Sequence, residues 1–473
     1  MDLKNNFIPD HTDKIHLIGA CGTGMAALAC MLKDLGYTVT GSDQKIYPPM
    51  SDLLARKNIP VFDGFDKKNI SYTPDLVIIG NAVTKDNPEI IQTREMGLHF
   101  CSMPQAINTF VGKNKKPILI TGTHGKTTTS SITAWLLFEA GLDPTFFIGG
   151  ILINFDANYY LGKGEYIIIE GDEYDTAFFD KGPKFMHYDP ALAVVTSIEF
   201  DHADIYEDLA HVKKAFGTFI SGISEQSTLF AFDADHNIEE LIKNVRCNVS
   251  AYGKNEGSTW RFENISISPP FTFFDVHKNG NTFTTLKTPL AGEHNLLNTL
   301  AAIAIADALN IKKETISNAL EKYQGVKRRQ EIRGIKRNIT IIDDFAHHPT
   351  AVKETVRAMK PFCTQGRLIT IFEPRTSSSM RNIFQDIYPH SFDQADLICI
   401  RKPPLLDKIP ADIRFSSEKL VDDLKAMGKD AHYFPDTDSI IDFVFETARP
   451  GDVVLIMSNG GFDNIHQRLL DKL

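Results

Sequence analysis

The sequence predicts an α/β protein of three domains. Short apolar runs alternate with helix-length segments along almost the whole chain, the pattern of parallel sheets covered by helices. The apolar run Pro117–Thr121 leads into Gly122-Thr123-His124-Gly125-Lys126-Thr127-Thr128 and then an apolar-periodic segment, Ile132–Ala140, that reads as a helix, an order that builds a phosphate cradle. The length of 473 residues is that of roughly three domains.

Composition narrows the classes. Hydrophobic residues make up 42% and charged residues 23%, as in soluble globular proteins. A net charge of −10 argues against a general nucleic-acid binder, so no nucleic-acid partner is expected. The six cysteines, at 21, 30, 101, 247, 363 and 399, form no C-x-x-C pair. They read as reduced thiols of a cytoplasmic protein and not as a disulfide frame or zinc site. Met1–Asn6 has no apolar signal core and no run reaches the length of a membrane span, so no membrane partner is expected.

Residues 1–112 read as a Rossmann-like domain. Lys14–Ile18 is a strand, residues 19–25 a Gly-rich turn, residues 26–35 a helix stopped by Gly36, and Thr38–Asp43 a second strand ending in an acid. Gly19, Gly22 and Gly24 would let a phosphate approach the backbone. Gly22-x-Gly24-x-x-Ala27 with Asp43 also meets the dinucleotide fingerprint, but the strand already ends at Gly19. A nucleotide-diphosphate site fits this offset better than a nicotinamide or flavin site, and a tight turn without ligand is the plain alternative. Further strands are expected at 75–81 and 99–103.

Residues 113–326 read as a central P-loop ATPase-type domain, entered through the charged linker Lys113–Pro117. The loop's backbone N–H groups and the helix N-terminus are expected to face the anion, Lys126 adds a mobile positive charge, and the Thr127 hydroxyl can hold Mg²⁺. The loop is shorter than the common pattern, because Ile120 stands where that pattern has Gly. The strand 165–170 runs into Gly171-Asp172-Glu173-Tyr174-Asp175, acids placed where a Mg²⁺ ligand sits, with a solvated acidic turn as the alternative. The strand 191–198 ends in Glu199-Phe200-Asp201-His202-Ala203-Asp204, a histidine among carboxylates at the ligand-binding end of such sheets. A strand at 228–233, an antiparallel hairpin region at 260–289 and helices at 291–309 and 313–323 complete the domain.

Residues 327–473 read as a second Rossmann-like domain, with strands at 339–343, 367–372, 396–400 and 452–457. The first ends in Asp343-Asp344-Phe345-Ala346-His347-His348-Pro349 and the second in Phe372-Glu373-Pro374-Arg375-Thr376-Ser377. Arg381 is expected on the first turns of a helix starting among Thr376–Ser379. A diphosphate turn, an ATP cradle and a His/Asp/Arg set imply three ligands: a nucleotide-linked substrate, ATP, and a second substrate joined to the first.

Several separate motifs carry a resemblance: GACGTGM with Gly41-Ser42-Asp43, GTHGKTTT, EGDEYD, Asp201-His202-x-Asp204, Gly292-x-His294-Asn295, Lys327-Arg328-Arg329 and DDFAHHPT. Together they resemble the Mur ligases of bacterial cell-wall synthesis over the whole chain. The resemblance implies an ATP- and Mg²⁺-dependent ligase acting through an acyl phosphate. It would join UDP-N-acetylmuramate to L-alanyl-γ-D-glutamyl-meso-diaminopimelate in peptidoglycan recycling, the stretch EGDEYDTAFFDKGPKFMHYDP being most similar to ligases of that kind. Ligation of L-alanine in de novo peptidoglycan synthesis is the alternative.

The resemblance also implies roles. Gly122, Thr123, His124, Gly125, Lys126, Thr127 and Thr128 bind the ATP phosphates, with Lys126 on the β/γ-phosphates. His294 and Asn295 contact adenine, while Arg329 and Asp344 close over phosphate and ribose. Thr127, Glu170 and His202 hold Mg²⁺, with Glu173 as accessory. Gly19, Gly22, Thr23, Gly24, Met25, Ser42 and Asp43 bind the UDP-linked substrate. His347, His348, Arg375 and Arg381 serve the incoming peptide or the intermediate, and Lys126, His202, Arg329 and His347 form the catalytic set. One departure stands out: siblings carry a carbamylated Lys at a position aligned with Phe216, and Lys213 and Lys214 are out of register, so no modified Lys is expected.

Overall fold

The computed structural model describes residues 2–473. The chain forms two compact units: residues up to 198 with 210–258 and 301–319, and residues 199–209 with 259–300 and 320–473.

The first unit carries two sheets. In the N-terminal one, β1 (Lys14–Ile18), β2 (Thr38–Asp43), β3 (Val61–Asp63), β4 (Leu76–Ile79) and β5 (Phe100–Ser102) lie parallel in the order β3-β2-β1-β4-β5. The order reverses between β1 and β4, which opens a crevice at their carboxyl ends. The helix Thr23–Asp34 covers the sheet and buries Met25 through Leu32.

The second sheet uses β6 (Lys116–Thr121), β7 (Thr145–Leu152), β8 (Ala157–Tyr160), β9 (Tyr166–Gly171), β12 (Leu192–Val195), β13 (Thr228–Phe232) and β14 (Asn248–Gly253), in the order β14-β13-β12-β6-β9-β7-β8. Between β9 and β12, β10 (Asp175–Ala177) and β11 (Asp180–Pro183) pair as a separate antiparallel hairpin. Thr121 at the end of β6 is in register with Gly171 of β9 and Val195 of β12. The loops after these three strands therefore leave the sheet at one level. The two sheets pack within the unit: Asn158 Nδ2 donates to the Thr23 carbonyl at 3.2 Å and the Tyr159 hydroxyl bonds Asp34 at 3.0 Å.

In the second unit, β15 (Trp260–Ser268), β16 (Phe271–Lys278) and β17 (Asn281–Thr288) form an antiparallel meander. The larger sheet joins β18 (Glu331–Lys336), β19 (Ile339–Asp344), β20 (Leu368–Phe372), β21 (Leu397–Arg401), β22 (Ala431–Phe434) and β23 (Val453–Met457) in the order β18-β19-β23-β20-β21-β22. Only β18 runs antiparallel to its neighbour among these pairs. Asp344 and Phe372 are both in register with Met457, so three strand-end loops meet at one edge. Apolar clusters cover both faces.

The six cysteines are free, and all but Cys363 are buried. No helix among the described residues is long and apolar enough to cross a membrane.

The structure departs from the sequence expectations in places. The phosphate-loop helix spans Lys126–Glu139, starting at the Gly-Lys-Thr itself, because Gly125 caps it in the left-handed conformation. The helix expected among Thr376–Ser379 is absent. A turn and the 3₁₀ segment Asn382–Phe384 stand there, with Arg381 as its N-terminal cap and bridged to Arg414. Ser379 Oγ accepts the N–H groups of Arg375 and Thr376 at 3.0 and 2.8 Å, a local bonding pattern that competes with helix formation.

Candidate active site

The phosphate loop is set by glycine and by Ser197. Gly122 has φ +131°, and a β-carbon there would fall 2.2 Å from Thr196 Oγ1, so only glycine fits. Ser197, just beyond β12, accepts Thr123 N–H on its carbonyl and His124 N–H on its hydroxyl, both at 2.9 Å. Thr196 Oγ1 donates to the His124 carbonyl. This corrects one expectation: the Thr123 and His124 amides hold the loop to its neighbouring strand and do not face an anion. That leaves the amides at the head of the helix, Lys126, Thr127 and Thr128, where helical N–H groups have no partner one turn back.

The acids after β9 each have their own partner. Lys126 Nζ donates to Glu173 Oε2 at 2.8 Å and to the Gly122 carbonyl at 2.6 Å. Burial pushes its ammonium down, but Glu173, Asp172 and Glu170 outweigh burial and keep it above its ordinary value. Thr127 Oγ1 donates to Glu170 Oε2 at 3.1 Å, and Glu170 Oε1 accepts Gly149 N–H at 2.8 Å. Asp172 pairs with Lys184 at 3.1 Å, and Lys184 lies over the Tyr174 ring at 4.1 Å. Phe216 is buried against Phe185, and Lys213 pairs with Glu240 at 2.5 Å.

Around the first glycine turn, Asp43 Oδ2 accepts Cys21 N–H at 2.9 Å and its Oδ1 accepts Lys45 N–H at 3.2 Å. Gly19 has φ +83°, and the space beside Gly22 is open apart from the Gly19 carbonyl. Thr23 is exposed at the helix start. Three expectations change here. A β-carbon at Gly24 would meet Met103 Sδ at 3.0 Å and Phe147 at 3.3 Å, so this glycine serves packing. Met25 is buried. Ser42 is wholly buried and donates to Glu89 at 2.5 Å, so its hydroxyl does not line the turn.

In the second unit the segment 199–204 lies across the strand-end loops of the larger sheet. Asp201 faces His347, 3.7 Å between Oδ2 and Nε2, and Ala203 N–H donates to Ser378 Oγ at 3.2 Å. Burial alone would raise the Asp201 carboxyl, but His347, His202 and His348 hold it well below the usual carboxylate range. His202 has φ +53°, and its carbonyl accepts the N–H groups of Ile205 and Tyr206.

Two residues assigned to ligands are committed to the protein itself. His348 is buried. It caps the helix Pro349–Met359 through Thr350 N–H, and its Nε2 lies 3.2 Å from the Phe200 carbonyl. Asp344 is buried, accepting Ala346 N–H and Gln330 N–H at 2.8 Å each, and burial raises its carboxyl despite Arg329. It ties the turn that presents Arg329, whose guanidinium lies 4.7 Å from the Phe345 ring centre. Asn295 is also buried, with Nδ2 on the Ala291 carbonyl at 2.8 Å, at the start of the helix Glu293–Ala308 that His294 heads with it.

Arg375 Nη1 is 3.6 Å from Glu373 Oε1. A β-carbon at Gly460 would fall 2.4 Å from Arg375 Cδ, so the arginine lies across that backbone. Arg381 Nε is buried without a hydrogen-bond partner among the described residues. The sequence reading missed the support beneath: Glu373 is wholly buried, pairs with Arg401 and accepts Ser458 Oγ at 2.7 Å, while Arg328 donates to the carbonyls of Ser458 and Gly460 at 2.6 Å. A Glu closing an apolar strand and the run Ser458-Asn459-Gly460-Gly461 were the available signals.

Comparison with known proteins agrees along the chain. Residues 14–114 match the Mur ligase family catalytic domain, 120–306 the Mur ligase middle domain, and 328–460 the Mur ligase glutamate ligase domain. The UDP-N-acetylmuramate–L-alanyl-γ-D-glutamyl-meso-2,6-diaminoheptandioate ligase of Escherichia coli is 37% identical over 461 residues, covering 97% of this chain and 98% of that protein. The UDP-N-acetylmuramate–L-alanine ligase of Acetivibrio thermocellus is 33% identical over 465 residues, covering 98% and 96%. Among solved structures, a murein peptide ligase from Psychrobacter arcticus aligns with a TM-score of 0.72 at 34% identity, covering 98% of each chain. A UDP-N-acetylmuramate–alanine ligase from Thermotoga maritima aligns at 0.81 with 26% identity, covering 98% and 99%. The chain belongs to the Mur ligase family.

Proposed function

We propose that this ligase is ATP-dependent and joins UDP-N-acetylmuramate to L-alanyl-γ-D-glutamyl-meso-diaminopimelate, in the cytoplasm and as part of peptidoglycan recycling. The observation that carries the choice is 37% identity to a ligase named for that tripeptide over nearly the full length of both chains. We assign residues 1–112 to the UDP-linked substrate, 113–326 to ATP and 327–473 to the acceptor.

The chemistry fits the residues. A carboxylate is a poor electrophile. Transfer of the γ-phosphoryl group of ATP to the lactyl carboxylate gives an acyl phosphate and ADP, the tripeptide amine attacks the acyl carbon, and the tetrahedral intermediate expels phosphate. Lys126 exchanges Glu173 for the phosphate oxygens and neutralises charge where it is transferred. The helix head at Lys126–Thr128 orients the chain of phosphates.

The donor set suits Mg²⁺. At the short, octahedral Mg–O distance, neighbouring ligands stand about 3 Å apart, and the oxygens of Thr127 and Glu170 are 3.1 Å apart. These two residues would hold the ion, His202 is the motif-derived nitrogen ligand, and Glu173 becomes accessory once Lys126 leaves it. When bound, the ion supplies charge neutralisation for phosphoryl transfer. Arg329 and His347 are assigned to the phosphate and the intermediate, and Arg375 and Arg381 to the acceptor carboxylates, for which a guanidinium fork is suited.

The alanine ligase is the second reading, favoured by the TM-score of 0.81 to the Thermotoga maritima enzyme. Phosphate release from ATP and UDP-N-acetylmuramate, with tripeptide, L-alanine or no acceptor, decides. Release driven by the tripeptide supports the assignment. A preference for free alanine replaces it with the second reading, and no acceptor-dependent release overturns both.

A further inference from the structure

The hairpin β10–β11 leaves the nucleotide sheet directly after the acids. Its legs are tied by Thr176 Oγ1 donating to the Gly182 carbonyl at 3.0 Å and by Lys181 on Asp175 at 2.7 Å. At its tip stand two consecutive aromatics, Phe178 and Phe179. Their rings pack against the cluster of Ile18, Val77, Ile79, Val83, Ile90 and Phe100, which belongs to the N-terminal sheet. Phe179 meets Phe100 edge-on, with ring centres 5.0 Å apart, and the two hairpin rings stand 5.3 Å apart.

Both ends of this contact are close to chemistry. Ile18 is the residue before Gly19, and Val83 Cγ2 lies 3.3 Å from where a Gly19 β-carbon would stand. At the other end, Asp175 follows Glu173 and Tyr174, and the base of the hairpin is closed by Asp172–Lys184 and by Phe185 N–H on the Asp172 carbonyl at 3.3 Å. A second tie holds the exit: Asp180 pairs with His187 at 2.9 Å, and the His187 carbonyl accepts Asn108 Nδ2 at 2.6 Å. Packed rings at the tip and the tied backbone of the hairpin thus connect the first glycine turn to the segment that carries Glu173, the partner of Lys126.

We propose that the hairpin Asp175–Pro183, through Phe178 and Phe179, is the link that sets the acids of the nucleotide site against the glycine turn, so that filling one site changes the affinity of the other. Phe178 and Phe179 are positioning residues, acting through the N-terminal cluster on which they pack. The inference rests on the function proposed above, with UDP-N-acetylmuramate at the turn and ATP at the loop. Linkage makes such coupling reciprocal: each ligand must change the other's dissociation constant by the same factor.

The test is calorimetric titration of the full-length protein with Mg²⁺ and the β,γ-imido analogue of ATP, with and without saturating UDP-N-acetylmuramate, then in the reverse order. Wild type should give one ratio in both orders, of about 5-fold or more. Phe178→Ala/Phe179→Ala should bring the ratio near one, while each ligand alone binds within about 3-fold of wild type. Phe178→Leu/Phe179→Leu, which keeps apolar volume at the tip, should restore most of the ratio and guards against a misfolded alanine variant. A wild-type ratio of one, or a wild-type ratio in the folded alanine variant, overturns the inference and leaves the ligase reading intact. A wild type that binds no UDP-N-acetylmuramate overturns the inference together with the reading beneath it.

Discussion

Lys126 sits in a cage of acids, and that sets what its loss does. Its ammonium is the charge at the helix head, held by Glu173. Lys126→Ala should lower kcat by at least ~10²-fold, as when one electrostatic stabiliser is removed, with the fold kept; near-normal steady-state turnover would exclude this loop as the ATP cradle. Glu170→Ala, which removes a carboxylate beside Thr127, should shift the Mg²⁺ titration of activity upward before it weakens UDP-N-acetylmuramate binding. Asp75 is a structural counterpart. The N–H groups of Lys14 and Asp13 donate to it at 2.8 and 2.9 Å and hold its carboxyl below its ordinary value. A depressed acid stabilises the fold above its unfolded pKa of about 3.9 and loses that contribution as pH falls through the lower folded value. Asp75→Asn should therefore reduce the melting temperature at pH 7, and the gap to wild type should close as scanning calorimetry moves from pH 4 towards pH 2.5.

At the scale of elements, the loop after β23 is expected to serve the acceptor by supporting Arg375, which the loop after β20 carries. Gly460 leaves room for that guanidinium, so Gly460→Ala should displace it and, like Arg375→Ala, cost about 1.5–3 kcal/mol in kcat/KM for the tripeptide, the range for a charged hydrogen bond. Kinetics with each substrate varied in turn separates this from a general effect: an equal loss for all three substrates would falsify acceptor recognition. The strands that carry site residues were legible because they are apolar runs closed by a glycine or acid, as at Gly122, Gly171 and Asp344. Glu331–Lys336 was missed because it mixes charges with Ile332 and Ile335 that point to solvent, and Ala431–Phe434 because four residues carry too little pattern. Motif spacing named Lys126, Thr127 and Glu170, but it could not tell that Ser42, Asp344 and His348 turn inward. Inward orientation depends on Glu89, Gln330 and Phe200, distant in sequence and brought near only by the fold.

At the scale of the molecule, the first unit holds its two sheets together through aromatic contacts as well as chain connection. Phe178 and Phe179 are half-buried on the N-terminal cluster, and truncating each should cost about 1–2 kcal/mol of that packing. In hydrogen exchange, β1, β4 and β5 should lose protection together with β6 and β9 in wild type. In Phe178→Ala/Phe179→Ala the N-terminal strands should exchange first. Unchanged, simultaneous exchange would mean that other contacts, such as Asn158 on Thr23 and Tyr159 on Asp34, already hold the sheets together.

The buried cysteines make the molecule a quiet background for site-directed labels. Burial pushes the thiols up, Cys21 and Cys363 to about 11 and Cys30 to about 12, so at neutral pH fewer than ~1 in 1,000 of these groups is a reactive thiolate. A maleimide or iodoacetamide dye should leave the native protein nearly unlabelled and count six thiols only after denaturation. A single cysteine introduced on the solvent side of the hairpin, at Lys181, would then report its movement by fluorescence as each nucleotide arrives, with the native thiols left in place.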